Sequence, residues 1–270
     1  MTEKQFQATP PATRSFGPEA FGAAEGTTLR WLGNSGLFIN TRGTQIMVDP
    51  VLEGFDMPLL IDMPIKPEEV PHLDAMLITH ADNDHFSRIT LKKVADVCAS
   101  YHGPHYVAEL LEEEGIPAVG HDIHDSFNIG KVKVTVTPAD HAWQNERKKY
   151  NRIFKFEDFC GFWIETEDGT IWIPGDSRLL PEQLEMPQPD VIFFDFSDNS
   201  WHIGFDNAVK LANTYPKAAL ILQHWGTVDA PTLDVFNGNP EDLMGVVDNP
   251  ERIHVLAAGE AFTLNKTIES

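Results

Sequence analysis

Cysteine is nearly missing from this 270-residue chain: Cys98 and Cys160 are the only two. Two cysteines cannot build a disulfide framework or a CxxC zinc site, and they cannot ligate an iron–sulfur cluster alone. Basic residues are also scarce. There are 20 Lys and Arg against 41 Asp and Glu, a formal net charge of −21 and an isoelectric point near 4.7. A deficit of that sign argues against nucleic-acid binding, because a phosphate backbone demands a basic face. It argues equally against docking to anionic lipid. No apolar run approaches the roughly 18–20 residues of a membrane span. The opening MTEKQFQATPPATRSFGPEAFG has no apolar core of a secretory signal. The expectation is a soluble cytoplasmic protein without membrane insertion.

The remaining composition is ordinary for a globular protein, with 42% hydrophobic and 23% charged residues, so the imbalance is one of sign and not of density. A chain of this length can bury a sizeable core as one large domain or two small ones. The unusual count is 11 histidines in an acidic protein. Imidazole and carboxylate together are the vocabulary of a metal site.

Residues 1–26 read as an arm rich in Pro and Gly, and residues 27–270 as a single domain. Short runs at 28–32, 36–40 and 45–48, separated by turn residues, predict a β-meander. Strands are further expected at 74–79, near Tyr106, at 131–137, 159–165, 170–173, 191–194, 219–222 and 253–256. Helices are expected at 87–100 with Ser87 as N-cap, at 107–114, 205–214 and 240–247. One α/β domain with a mixed sheet system is the simplest account.

The strongest chemical feature is Thr79-His80-Ala81-Asp82-Asn83-Asp84-His85, where four possible ligands follow a strand end within six residues. A capped polar turn would have the same composition. A calcium loop would need the Gly and distant Glu that are missing here. Three further candidates each follow a separate strand: His141 in TPADHAW, Asp176 in PGDSR and His224 in QHWGT. Sites assembled from loops at strand ends are what a rigid sheet provides for function.

With these motifs in view, the sequence resembles the metallo-β-lactamase superfamily. Within it, the chain looks most like the branch of cytoplasmic sugar-phosphate lactonases, ascorbate-6-phosphate lactonase among them, and N-acyl-phosphatidylethanolamine phospholipase D. The family's HxHxDH loop matches His80, Asp82, Asp84 and His85. Its third histidine matches His141, its bridging aspartate Asp176 and its last histidine His224. Val48-Asp49-Pro50 matches an early VDP motif, in which Asp49 would support a ligand from behind. HIGFDNAVKLA resembles a stretch that makes His202 a candidate pocket histidine. The resemblance implies an αββα sandwich of two mixed sheets with helices on the outer faces. It also implies a first metal on His80, Asp82 and His141, a second on Asp84, His85 and His224, and Asp176 between them. Asp82 departs from the family's histidine. Carboxylate is the harder ligand, so two divalent ions are expected with Mn or Fe favoured over the usual Zn. A single filled site is the alternative.

The function implied is a metal-dependent hydrolase of a small anionic ester, lactone or phosphodiester. Asp84 would orient or deprotonate water, and His202 would stabilise an oxyanion or protonate the leaving oxygen. A structural His202 bonded to Asp195 or Asp198 is the bland alternative. Candidate substrate contacts are Trp143, Arg147, Lys148, Arg178 and Trp201, with Trp225 and Phe86 as further apolar wall; plain packing beneath the loops is the alternative for these aromatics. Five of the chain's 20 basic residues fall within 147–155, where they would attract an anion unless they are merely a solvated face. Competing readings are an iron-dependent oxidoreductase on the same fold, motivated by Asp82, and a phospholipase- or nuclease-type phosphodiesterase. Several relatives assemble, and the arm is the segment that would join a homo-oligomer.

Overall fold

Alternation of side chains along the strands builds the molecule. The structure, a computed structural model, describes residues 7–141, 145 and 152–264. The meander is present as β1 (Thr27–Gly33), β2 (Gly36–Thr41) and β3 (Thr44–Val48), followed by β4 (Ala75–Leu77), β5 (Tyr101–Pro104) and β6 (Val119–His121). In these strands Leu37, Ile39, Ile46, Val48, Ala75 and Leu77 point into one apolar cluster. Phe38, Met47 and Met76, the residues between them, point into another. A period of two therefore places one core on each face of the sheet.

The second sheet comes from β7 (Ser126–Ile129), β8 (Val132–Pro138), β9 (Cys160–Thr166), β10 (Gly169–Ile173), β11 (Val191–Phe194), β12 (Ala219–Leu222) and β13 (Ile253–His254). The final strand, β14 (Ala261–Leu264), returns to pair with β1. Each sheet has seven strands, in the orders β14-β1-β2-β3-β4-β5-β6 and β13-β12-β11-β10-β9-β8-β7. Both mix parallel and antiparallel pairs. Helices α1 (Arg88–Lys93) and α2 (His105–Glu113) cover the outer face of the first sheet through Leu91, Val107 and Leu111. Helix α3 (Phe205–Thr214) covers the second sheet, and Tyr215 at its end meets Trp172 edge-on at 5.6 Å. The outcome is the expected αββα sandwich.

Departures from the expected elements have local causes. The helix anticipated over 87–100 keeps its Ser87 cap but ends at Lys93. Val97 and Ala99 leave it to bond Leu73 in a short parallel bridge, so a tertiary pairing overrides helical spacing. The helix anticipated over 240–247 is the single turn α4 (Pro240–Leu243), which ends just before Gly245. The strand placed near Tyr106 lies earlier, as β5. The segment read as an arm is packed down from residue 7: Phe16 and Phe21 stack against Phe38 at 5.8 and 4.5 Å, and Arg14 N donates to Ala258 O.

Where the two sheets meet at one end, Phe127 of β7 lies flat against His102 of β5 and His121 of β6, with centroids at 4.4 and 4.2 Å. His102 Nδ1 and His121 Nε2 are 2.9 Å apart, so one ring must donate and the other accept. Burial, followed by the neighbouring His121, pushes the His102 pKa down from 6.5 to about 4. A lowered folded pKa means that the unfolded chain binds more protons. Stability from this stack is therefore complete above pH 6.5 and is lost as the pH falls towards 4. In metal-free protein, the urea midpoint of His102→Phe should fall less steeply than wild type between pH 6.5 and 4. The difference should be at most one proton, about 1.4 kcal/mol per pH unit. Parallel pH profiles would refute the assignment.

Candidate metal centre

The strand directions gather the chemistry at one edge. β1, β3 and β4 run the same way in the first sheet, as do β8, β10, β11 and β12 in the second. Their C-terminal ends are followed by Asn34, Asp49, the 80–85 loop, His141, Asp176, Asp195 and His224 respectively. The six single residues of this set, and every predicted ligand, are buried.

Two donor groups form there. His80, Asp82 and His141 present one ligand atom each within 4.8 Å of one another, and so do Asp84, His85, Asp176 and His224. Asp176 lies between the groups, with Oδ2 at 3.1 Å from His85 Nε2 and 3.9 Å from His141 Nε2. The residues that the resemblance assigns to two ions are thus brought together at this edge. A third set, Asp176, Asp195, His202 and His224, also satisfies the distance limit.

Each ring is held from behind where a partner exists. His85 Nδ1 faces Asp49 Oδ2 at 2.8 Å, and Asp49 also accepts from Thr79 N and Thr79 Oγ1 at 2.8 and 2.6 Å. His141 Nδ1 faces Trp201 O at 3.0 Å. His202 Nδ1 faces Asp195 Oδ2 at 2.7 Å, which leaves Nε2 at 3.3 Å from Asp176 Oδ2. The two readings of His202 thus meet: it is bonded to Asp195 and still aimed at the centre. Acceptors behind imidazoles fix the tautomer and the ring direction, as metal ligands require.

The backbone is shaped for this purpose. Asn34, Asp49 and His224 have φ of 48°, 45° and 55°, and Gly175 before Asp176 has φ of 71°. Asn, Asp and His are the non-glycine types that best tolerate this left-handed region. A Cβ on Gly175 would run into the Cys160 carbonyl, which explains the Gly of the GDS motif.

The electrostatics are those of a donor set waiting for cations. His80 Nε2, His85 Nε2, Asp176 Oδ1 and both nitrogens of His224 are buried with no hydrogen bond of good geometry. Burial, then the neighbouring His85 and His141, push the His80 pKa well below its usual value, so this ring is a neutral lone-pair donor. Burial also disfavours charge on Asp176, but His224, His85 and His202 outweigh it and hold the carboxyl well below the ordinary range. For His202, burial opposes the imidazolium, and Asp176 and Asp195 raise it to about 9. Unpaired buried donors of this kind are costly unless filled. Imidazole and carboxylate without thiolate suit Mn, Fe or Zn, so the residues fit divalent ions.

A cavity of about 240 Å³ opens onto the donors. Asp82, Asp84, His141, Asp176 and His202 line one side, and Phe55, Met57, Trp201, Leu233, Val235 and Phe236 line the other. Of the expected substrate contacts among the described residues, Trp201 lines it and Arg178 does not. Arg178 is exposed, bonds Asp140 at 2.5 Å, and borders a separate depression behind His202. Trp143, Arg147 and Lys148 lie outside the described residues. Trp225 is buried and stacked on Trp31 at 6.0 Å, and Phe86 belongs to the outer core, so both are packing. Sequence reasoning missed Asn34 and Ser35, which bond the Asp84 loop through Asn34 Nδ2 at 3.4 Å and Ser35 Oγ at 2.5 Å. The Gly33-Asn34-Ser35 turn was the available signal.

Comparison with known proteins agrees with this architecture. The family described as beta-lactamase superfamily domain matches residues 44–225. A UPF0173 metal-dependent hydrolase of Herpetosiphon aurantiacus is 28% identical over 256 residues, covering 88% of this chain and 98% of its own. The crystal structure of isothiocyanate hydrolase from Delia radicum gut bacteria superposes with a TM-score of 0.67 at 20% identity, covering 88% of this chain and 99% of that one. CmlA, a diiron β-hydroxylase from Streptomyces venezuelae, superposes with a TM-score of 0.65 at 16% identity, covering 90% and 55%. At these identities the two structures speak to the fold alone.

Replacing Asp49 tests the support behind His85. Asp49→Asn should weaken divalent-metal affinity about 10- to 100-fold in chelator competition, with an unchanged far-ultraviolet circular dichroism spectrum. Wild-type affinity would refute the role.

Proposed function

This chain belongs to the β-lactamase superfamily domain family, and on that premise we propose that it is a metal-dependent hydrolase of a small ester, lactone or phosphodiester. The observation that carries the reading is the set of buried, unbonded imidazole and carboxylate atoms converging from strand ends of both sheets. His80, Asp82 and His141 would hold one divalent ion, and Asp84, His85 and His224 a second, with Asp176 shared. Bound there, such ions supply positive charge that polarises the scissile bond and makes water acidic enough to attack at neutral pH.

The chain's own residues do the rest. Asp84 Oδ2, steadied by Asn34 Nδ2, accepts the proton of the attacking water. His202 carries its Nε2 proton towards the reacting oxygen. Asp195, itself bonded by Ser197 Oγ and N, keeps the ring in that direction. The wall around Trp201 excludes solvent from one side, so that charges in the site act through a poorer dielectric. A second reading, an iron-dependent oxidoreductase, is favoured by the hard Asp82 ligand. The relative named above as a metal-dependent hydrolase supports the hydrolytic reading.

Chelation should abolish turnover across a panel of esters, lactones and phosphodiesters. Readdition of Mn or Fe should restore more activity than Zn. His202→Gln should lower kcat about 10²- to 10⁴-fold while retaining bound metal. Full hydrolysis by metal-free protein would refute the proposal, and oxygen consumption by an iron-loaded, non-hydrolytic protein would favour the second reading.

A further inference from the structure

The cavity before the donors has two unlike walls, and the second wall says what class of molecule the site takes. Phe55, Met57, Trp201 and Phe236 come from three separate stretches of chain, yet they meet in one apolar cluster with Val228 and Ala230. That cluster is distinct from the cores within and outside the sheets. Phe55 and Phe236 meet edge-on at 6.3 Å. Phe55, Met57 and Trp201 stay half-buried, so they offer apolar surface to the cavity. Apolar side chains brought together over a polar cluster, with area left uncovered, are the signature of a ligand wall.

Charge points the same way. Among the described residues that line the cavity there is no Lys or Arg. The nearby cation Arg178 is engaged by Asp140 outside it. Two divalent ions and the His202 imidazolium would bring five positive charges against four from Asp82, Asp84, Asp176 and Asp195, the partner of His202, and Asp56 at the rim offsets the last. An anionic substrate would gain little long-range attraction from such a site. The volume of about 240 Å³ lies below that of pockets for drug-sized ligands.

Resting on the hydrolase reading and narrowing it to its uncharged members, the ester and the lactone, we propose that the substrate is a compact, uncharged molecule. Its single apolar group, alkyl or aryl, packs on Phe55, Met57, Trp201 and Phe236 while its electrophilic centre faces the donors. It differs from the anionic substrate expected from the basic stretch at 147–155, most of which lies outside the described residues. Burying one such group corresponds to a ten- to hundredfold gain in affinity.

Two measurements test this. The first compares metal-loaded protein on phenyl acetate and on 4-acetoxybenzoate, the same ester with an added carboxylate. The neutral ester should show at least tenfold higher kcat/KM, and Met57→Ser and Phe55→Ala should each raise its KM about tenfold with metal content unchanged. The second follows binding of phenylacetamide to metal-free protein by ligand-observed NMR, where the same two variants should weaken binding about tenfold. Preference for the carboxylate ester, or variants that leave both KM and phenylacetamide affinity unchanged, would overturn the proposal. If neither these esters nor the panel of lactones and phosphodiesters is hydrolysed while phenylacetamide binding still depends on Met57 and Phe55, the hydrolase reading fails and the apolar wall stands.

Discussion

Asp176 holds a negative charge where an isolated carboxylate could not remain ionised. Its side chain is almost wholly buried, and Oδ2 has imidazole nitrogens of His85, His202 and His141 at 3.1, 3.3 and 3.9 Å. Burying a charge without compensation costs several kcal/mol. Here the compensation is mutual: the carboxylate favours protons on His85 and His202, and their charges favour the carboxylate. Divalent ions would replace those protons with stronger and better-directed charge, so loading the centre releases protons. The rest of the edge is arranged to keep this group of ionisable side chains dry and oriented.

That arrangement depends on backbone that ordinary strand geometry does not provide. Each donor sits one to several residues past the end of a strand, and the chain must turn sharply to aim it inward. Of the six non-glycine residues with left-handed φ among those described, Asn34, Asp49 and His224 are all at this edge. Strain of this kind persists only where surrounding structure over-determines it. The surrounding structure is visible: Asp49 is fixed by Thr79 and His85, and Gly175 is pressed against Cys160. The support reaches as far as Pro10, since a Cβ on Gly226, two residues past His224, would meet that proline. The early segment and the last metal-facing loop are therefore packed together.

Much of this was legible before any coordinates. The donors share a short motif or follow an apolar run, period-two alternation marks β8, and the apolar runs at 159–165 and 170–173 mark β9 and β10. Helix α3 was bounded to the residue because Gly204 precedes its amphipathic pattern and Pro216 follows it. Other features left no local trace. β6, β7 and β14 are three or four residues long and partly exposed, so their pairing comes from neighbouring strands and not from their own composition. The sequence offers Asp195 and Asp198 alike as partners of His202, and proximity in space, not local pattern, selects Asp195, whose carboxylate lies against both His202 and Ser197. The apolar wall was invisible for the same reason. Phe55, Met57, Leu233 and Phe236 lie in irregular segments without period, and proximity alone gives them a common role. The neighbours of ligands in sequence, Trp225 and Phe86, were attractive candidates for that wall, but adjacency along the chain says little about direction in space.

The separation of the site into a polar and an apolar side also clarifies the charge of −21. A surface excess of acid does not set what the centre recognises, because exposed charges are screened within about 8–10 Å at physiological salt. What counts locally is the balance among the donors and whatever fills them. With two divalent ions bound, as proposed, that balance would be close to neutral; recognition would then fall to shape and apolar contact, with the strong fields confined to the face where bonds change. The apolar wall strengthens those fields by excluding water opposite the donors. One set of residues can then serve both ends: Trp201 presents its ring to the cavity and its backbone carbonyl to His141 Nδ1. A shift of that segment would alter the substrate wall and the aim of a ligand together.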